Sequence, residues 1–206
     1  MEIRKKIVLA TAIASLFFLG GAIAYKVTRP PVPIVLDTSG QPTIGTGKTK
    51  IVVFEDLCCA NCRVFTEEIF PELTKKYVDT GEAQLVLIPI AFGENSKPLA
   101  NAALSVYHIA PKSFVSFVSQ LSRAQASLKD DILFVARSVG GIDLVTLRER
   151  IDLKMYYAEI DRNLYWARSL MGEDFGTPTL LINGLEIPAG SLDAIGERIR
   201  ELGGSR

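Results

Sequence analysis

Apolar side chains recur along this chain in three patterns, and each pattern predicts a different kind of element. An uncharged run of 19 residues, 7–25, follows a basic segment at residues 4–6. Two short apolar runs, residues 51–55 and 84–90, have the length and β-branched content of buried strands. Between them, apolar residues recur at helical spacing over residues 59–77. This order predicts two parallel strands joined by a helix.

Proline, glycine and serine mark the further elements. Pro71 should kink the first helix, since proline cannot donate the helical hydrogen bond. A long helical pattern then ends before a strand pattern resumes at residues 179–182, so we interpret it as an insertion into one sheet-based domain. Asn183-Gly184 predicts a hairpin turn, and Ser191 is expected to cap a final helix. The expected helices cover residues 96–110, 112–124, 128–139, 143–150, 154–171 and 192–202, the first five forming the insertion over 96–171.

The N-terminal segment predicts export. A basic flank before an apolar stretch is typical of a signal peptide or a signal anchor. Ala22-Ile23-Ala24 fits the small-x-small pattern of a cleavage site, yet 19 residues nearly span a bilayer core of about 30 Å. Cleavage near Ala24 and retention as a single transmembrane anchor both stay open, with the anchor slightly favoured. We therefore expect a signal or anchor at residues 1–25, a linker at 26–43 containing a stiff proline-rich spacer, and one domain at 44–206.

Composition excludes several classes of function. Lysine plus arginine and aspartate plus glutamate both number 23, so the net charge is zero and nucleic acid is not an expected partner. The single histidine, His108, excludes a multi-histidine metal site. The sequence GTGKT at residues 45–49 lacks the earlier glycine of a P-loop and precedes a strand, so nucleotide binding is rejected. No cofactor is expected.

All three cysteines lie within five residues, in the sequence CCANC at 58–62. With no cysteine elsewhere, they cannot form a structural disulfide scaffold. Cys59 and Cys62 instead form a C-x-x-C pair between a strand and a helix, which is the layout of a thioredoxin-like redox site. The N-terminus of a helix favours negative charge, so Cys59 should be the attacking thiolate. Cys62, one turn further, should be buried and resolve the mixed disulfide.

Two motifs together resemble the DsbA-like branch of the thioredoxin fold. The sequence FEDLCCANC at residues 54–62 resembles the family pattern F-E-D-x-x-C-P-x-C. The sequence GTPTLLING at residues 176–184 resembles the family pattern G-T-P-T-x-x-x-N-G. The helical stretch lies where that family has its helical insertion, and the resemblance covers roughly residues 44–202. It implies an α/β thioredoxin fold with a helical insertion, preceded here by the signal or anchor helix.

The resemblance also implies a site and partners. Pro178 would be a cis-proline facing the cysteines, and the backbone of Thr177 would pair with an extended substrate. The implied enzyme is a thiol:disulfide oxidoreductase, a monomer acting on exported proteins in the periplasm, most simply as a disulfide donor. A membrane partner, either a quinone-linked oxidase or a thiol reductase, would reset the cysteine pair.

The chain departs from the family pattern at three positions. Ala60 replaces the usual proline, Asn61 stands where oxidants often carry histidine, and Cys58 adds a third thiol. These departures leave the redox direction open, and we expect Cys58 to be a bystander. Glu55 and Asp56 are candidates for a proton acceptor, or simply solvated acids at the end of a strand.

Three other functions compete with the disulfide donor. A copper-binding or copper-delivery protein could use Cys58, Cys62 and His108, although His108 lies mid-helix and is more often a packed or surface residue. A periplasmic reductase would use the same cysteine pair in the opposite direction. A disulfide isomerase is disfavoured, because residues 26–49 are too few for the dimerisation domain that such enzymes usually add.

Overall fold

The computed structural model describes residues 2–28, 32–124, 128–188 and 191–203, and the chain divides into two units after Val32. The first unit contains helix α1, Glu2–Thr28. None of the helices formed by the described residues combines the length and apolarity needed to cross a membrane. The signal or anchor role of this segment stays a prediction.

The second unit is built on a five-stranded mixed sheet with the order β1-β3-β2-β4-β5. β2 and β3 are parallel, and the other three pairings are antiparallel. In each of these two long strands, six of the seven residues are buried. The predicted pair of buried parallel strands is therefore confirmed. The strands are β1 (Thr43–Ile44), β2 (Thr49–Glu55), β3 (Ala83–Pro89), β4 (Thr179–Ile182) and β5 (Leu185–Ile187).

The helix after β2 contains two π-helical turns. It starts as α2 (Ala60–Val64), passes through a π-helical turn at Phe65–Ile69, continues as α3 (Phe70–Leu73), and ends in a second π-helical turn at Thr74–Val78. The first turn closes where the backbone N–H of Phe70 donates to the carbonyl of Phe65. The missing donor of Pro71 follows at once, so the disturbance predicted for this proline takes the form of an extra residue in the turn before it.

The insertion between β3 and β4 is helical, as predicted. Its helices differ from the predicted ones by only a few residues at their ends, and a 3-10 turn at Pro111–Ser113 separates the first two. Trp166 of the last helix packs edge-to-face on Phe54 of β2, with ring centroids 6.2 Å apart. The insertion thereby covers one face of the sheet at the strand that leads to the cysteines. The helices are α4 (Lys97–Ile109), α5 (Phe114–Ala124), α6 (Lys129–Val139), α7 (Leu144–Asp152) and α8 (Tyr157–Met171).

The hairpin and the final helix follow their turn and capping residues. Asn183 and Gly184 both have positive φ, +47° and +83°, as a tight two-residue hairpin requires. The Asn183 side chain also accepts from the backbone N–H of Lys50 at 2.9 Å, which ties the turn to the start of β2. The hydroxyl of Ser191 accepts from the N–H of Ala194 and caps α9, Leu192–Gly203.

The second part of the predicted linker is in contact with the sheet. The backbone N–H of Ile34 donates to the carbonyl of Gly184 at 2.8 Å, and the N–H of Leu87 donates to the carbonyl of Pro42 at 2.8 Å. In the glycine-rich stretch that precedes β2, position 47 requires glycine, since a Cβ there would lie 2.2 Å from the backbone nitrogen of Ala83. This segment therefore has a packing role beside β3.

Candidate active site

The C-x-x-C pair begins the helix that follows β2. Cys59 is the N-cap residue of α2, with extended φ and ψ of −74° and 130°. Its carbonyl accepts from the N–H of Arg63 at 3.1 Å, and its own N–H donates to the carbonyl of Asp56 at 2.8 Å. All three cysteines are free thiols; Cys58 is exposed, Cys59 is half-buried and Cys62 is buried. The sequence placed Cys59 and Cys62 correctly on this turn.

The loop before β4 faces Cys59. The peptide bond between Thr177 and Pro178 is cis, as the family resemblance implied. The Cys59 thiol donates to the carbonyl of Thr177 at 3.4 Å. Two segments that are 118 residues apart in the chain thus meet at the sulfur atom. The catalytic role of Pro178 and the substrate contact of Thr177 stay predictions that this placement suits.

The two thiols of the pair differ in acidity. Burial tends to raise the pKa of Cys59, but hydrogen bonds from Thr177 and from the backbone N–H groups of Cys62 and Asn61 outweigh it, and the pKa is lowered. Burial raises the pKa of Cys62 well above that of an ordinary thiol, and the nearby charge of Glu55 raises it further. Cys59 is therefore the member of the pair that carries negative charge more easily.

The side-chain hydroxyl of Thr177 also belongs to the site. Its oxygen is buried and forms no hydrogen bond with any of the described residues. Its presence favours the charged form of both Cys59 and Cys62. An unpaired buried hydroxyl is costly, whereas a hydroxyl that donates to a thiolate is satisfied. The site thus holds a donor that a sulfur anion can use.

Glu55 is a buried acid behind the cysteine pair. Its side chain is 1% exposed and accepts one hydrogen bond, from the hydroxyl of Thr66 at 2.7 Å. Burial raises its pKa to about 7, although the bond from Thr66 lowers it and Asp56 raises it. A carboxyl group with this pKa exchanges its proton near neutral pH. The interpretation of Glu55 as a solvated strand-end acid is therefore wrong.

Asp56, unlike Glu55, has a structural role. It is also buried, but its two oxygens accept from three donors: the N–H of Cys58 at 2.9 Å, the N–H of Phe92 at 2.9 Å and the hydroxyl of Ser96 at 3.0 Å. These bonds join the end of β2 to the loop that follows β3. Asp56 therefore holds the turn in place, and it too is not a solvated acid.

Cys58 points away from the pair. Its thiol lies 3.7 Å from the carbonyl oxygen of Asn95. Its pKa is raised by partial burial and by the charge of Asp56, while a hydrogen bond with Ser96 lowers it. A thiol with a raised pKa is a poor nucleophile at neutral pH, which suits the expected bystander role.

A groove lies beside Cys59, between the first turns of the helix and the cis-proline loop. Its volume is about 550 Å³. One wall carries apolar side chains and one acid from the helix, and the other is the segment that leads into β4. The lining residues are Asn61, Val64, Phe65, Glu68, Ile69, Gly176, Thr177, Pro178 and Thr179.

The copper alternative has no support from the arrangement of ligands. In the described part of the chain, no three histidine, cysteine, aspartate or glutamate side chains come together as a metal site would need. His108 is instead stacked on the ring of Tyr156, with centroids 5.2 Å apart and planes at 13°. The ring of Tyr107 also meets it edge-on. His108 is therefore a packed helical residue, as its position in the sequence favoured.

Comparison with known proteins agrees with the fold and the site. A family model described as thioredoxin matches residues 37–200. The chain belongs to the thioredoxin family. Disulfide bond formation protein D of Bacillus subtilis is 27% identical over 153 residues, which cover 70% of this chain and 68% of that protein. DsbA of Chlamydia trachomatis is 28% identical and superposes with a TM-score of 0.74, covering 84% of this chain and 97% of the other.

A further solved structure shares the architecture. Oxidised BdbD of Bacillus subtilis superposes with a TM-score of 0.75 at 24% identity, covering 86% of this chain and all of that one. Together with the paired thiols, these likenesses confirm the DsbA-like expectation. This member of the family is a DsbA-like thiol:disulfide oxidoreductase.

Sequence reasoning missed two features of this DsbA-like site. It left Glu55 and Asp56 undecided between a proton-transfer role and solvent exposure, because two consecutive acids normally mark a surface. The only available signal was their position directly after a strand without polar alternation. It also did not find the groove, whose helical wall combines residues three, four and seven positions apart with a loop over 100 residues away.

Proposed function

We propose that the protein donates the Cys59–Cys62 disulfide to exported proteins. The observation that carries this proposal is the difference between the two thiols of one helical turn. In reduced protein the pKa of Cys59 is lowered and that of Cys62 is raised. Stabilising the thiolate of Cys59 stabilises the reduced protein, so the disulfide form gains a tendency to oxidise other thiols.

Donation takes two exchange steps. A substrate thiolate attacks the sulfur of Cys59, which forms a substrate–Cys59 disulfide, breaks the Cys59–Cys62 bond and releases Cys62 as a thiolate that takes up a proton. A second substrate thiolate attacks the first substrate sulfur, which forms the substrate disulfide and releases the thiolate of Cys59. Two electrons pass from substrate to enzyme.

Glu55 supplies or accepts the proton that moves at Cys62. The released sulfur is buried and its pKa is raised, so it needs a proton at once. The carboxyl of Glu55 has a pKa of about 7 and lies close enough for its charge to affect Cys62. In the resetting step the same group receives the proton when Cys62 attacks.

The substrate binds beside the cis-proline loop. Residues 176–179 line the groove, and within this segment the carbonyl of Thr177 accepts from the sulfur of Cys59. An extended peptide can pair with the backbone at Thr177 while its side chains enter the groove, which is recognition by strand addition. Thr177 thus contributes its backbone to the substrate and its hydroxyl to the thiolate.

Exported substrates imply a place outside the cytoplasm. The support is the N-terminal sequence, in which a basic flank precedes an uncharged run. The protein works there either after cleavage near Ala24 or on a single-helix anchor, as a monomer. A membrane oxidase linked to quinone resets the cysteine pair by taking the two electrons; a thiol reductase takes its place if the protein is a reductant.

The reduction potential tests the direction of exchange. The full chain with Cys58→Ser is equilibrated against glutathione buffers, and the reduced fraction is measured by thiol alkylation. We expect a value near −120 mV, the range of strongly oxidising members of this fold. A value near about −270 mV makes the protein a reductant and replaces the donor proposal by the reductase. Absence of exchange rejects both.

A further inference from the structure

The helical wall of the groove presents one acid among apolar side chains. Asn61, Val64, Phe65, Glu68 and Ile69 follow the spacing of a single helix face. Val64 is 49% exposed although it is apolar, and Ile69 is partly buried. Glu68 is exposed and lies about two helical turns after Asn61 on this wall. The groove therefore offers an apolar surface that ends in a carboxylate.

The carboxylate of Glu68 has no cation to neutralise it. No basic side chain of the described ranges lies within ion-pairing distance of it. Residues 60–73 of the same helix contain three acids and one base. Across the groove, the lining residues 176–179 carry no charge, and of the two acids just before them Glu173 is paired with Arg168, which leaves Asp174. The whole chain has zero net charge, so this negative character is local to the groove.

We infer that Glu68 selects substrates with a lysine or arginine near the reacting cysteine. The inference rests on the proposed function, because it concerns the substrate segment that enters this groove. Lysine and arginine have an apolar stem and a cationic head. The stem can pack on Val64 and Ile69 while the head meets the carboxylate of Glu68. A substrate acid at the same position meets repulsion.

The helix sets the distance between the reacting cysteine and the basic residue. The helical wall of the groove begins at Asn61, two residues after Cys59, and Glu68 lies seven residues further, about 10 Å along a helix at about 1.5 Å per residue. An extended substrate rises about 3.3 Å per residue. The selected basic residue therefore lies about three positions from the substrate cysteine that attacks Cys59.

Peptide oxidation by the full chain provides the experiment. The dithiol peptides are identical except at one position, three residues from the reacting cysteine, which carries lysine, glutamine or glutamate. In one set this position precedes the cysteine, and in the other it follows the cysteine. The oxidised protein, Glu68→Gln and Glu67→Gln are compared by kcat/KM at low and high salt. Glu67 is the matched control, since it is an exposed acid on the same helix that does not line the groove.

In one of the two sets we expect kcat/KM for the lysine peptide to exceed that for the glutamate peptide by about three- to fivefold at low salt, the upper part of the range for exposed charge pairs. Glu68→Gln should bring this ratio below about twofold, high salt should reduce it, and Glu67→Gln should leave it unchanged. A ratio near one in both sets, or an equal loss of the ratio in the two variants, overturns the inference.

A binding measurement separates the inference from the proposed function. The same peptides with serine in place of cysteine are titrated into the reduced protein. A lysine preference that depends on Glu68, without any peptide oxidation, keeps the inference and rejects the donor function alone. Oxidation of all peptides at equal rates, with no charge preference in binding, keeps the function and rejects the inference.

Discussion

The two ends of the Cys59–Cys62 turn carry the same thiol group in opposite surroundings. At the outer end, Cys59 is half-buried and faces the carbonyl and hydroxyl of Thr177. At the inner end, Cys62 is fully buried next to the acid Glu55. Hydrogen-bond donors favour charge at the outer end, while burial and a negative neighbour oppose charge at the inner end.

This difference shows that two thiols one helical turn apart can differ in both acidity and accessibility. The outer thiol can react with a bulky partner because it is accessible, and it leaves easily because its pKa is lowered. The inner thiol is buried, so in the proposed mechanism it attacks only its neighbour. The following predictions test how far this division depends on particular groups, from the largest expected effect to the smallest.

The largest effect concerns the two sulfurs. In the absence of Cys58, Cys62→Ser leaves only Cys59, and Cys59→Ser leaves only Cys62. We expect iodoacetamide to modify Cys59 at least tenfold faster at pH 7, because it is both more acidic and more accessible. The Cys62→Ser protein should also accumulate mixed disulfides with substrate, whereas Cys59→Ser should not. Equal alkylation rates would remove the basis of the comparison.

Glu55→Gln should stabilise the protein at alkaline pH. The folded-state pKa of Glu55 is raised from 4.5 to about 7, so below pH 4.5 the carboxyl is protonated in both states and imposes no penalty. Between about pH 4.5 and 7 only the unfolded state releases the proton, and stability falls with rising pH. The cumulative loss above pH 7 is on the order of 3 kcal/mol, about 1.4 kcal/mol per pKa unit.

Denaturant unfolding at pH 4 and pH 8 measures this gain. Glu55→Gln should be more stable than the parent at pH 8 and similar at pH 4. The exposed acid Glu67 provides the control, since Glu67→Gln should change stability little at either pH. A gain of equal size at both pH values would show that packing, rather than ionisation of Glu55, causes it.

Thr66→Val should move the titration of Glu55 to higher pH. The hydroxyl of Thr66 donates the 2.7 Å bond that lowers the pKa of Glu55, and valine retains the shape without the donor. We expect the fall in stability to extend by about one pH unit, which corresponds to one hydrogen bond to a charged group. Thr74→Val is the matched control, because its hydroxyl donates to the carbonyl of Phe70 on the same helix.

The smallest effect is expected from Cys58→Ser. The thiol of Cys58 contacts the carbonyl of Asn95, outside the pair, and its pKa is raised. The rate of substrate oxidation should therefore change less than twofold, and the reduction potential should change by less than about 10 mV. A large shift of the potential would show that Cys58 forms a disulfide with one of the other two cysteines.

The sequence predicted what local patterns determine. The apolar runs of β2 and β3, the Asn183-Gly184 hairpin and the helices of the insertion all depend on neighbouring residues, and the structure confirms them. A disturbance at Pro71 was predicted, but its form, a π-helical turn on each side of the proline, was not, because the missing donor alone does not decide where the helix widens. The two-residue strand β1 lies in a polar segment whose strand character comes only from its pairing with β3.

The candidate site divides in the same way. Cys59 and Cys62 were found from their spacing, and the cis bond before Pro178 from family resemblance. The burial of Glu55 depends on the covering of β2 by helices from distant segments, which a single sequence does not reveal. The groove beside Glu68 exists only where the cis-proline loop meets the helix, so no local pattern indicates it.

The hydrogen bond between Ile34 and Gly184 attaches the start of the domain to one end of the sheet. It joins the entering chain to the hairpin turn, and Asn183 in that turn bonds to Lys50 at the start of β2. The cysteines follow the opposite end of β2, about 20 Å away for a seven-residue strand at about 3.3 Å per residue. A tether that pulls on the chain before Pro33 would therefore load the hairpin end of the sheet and leave the reactive sulfur at the unloaded end.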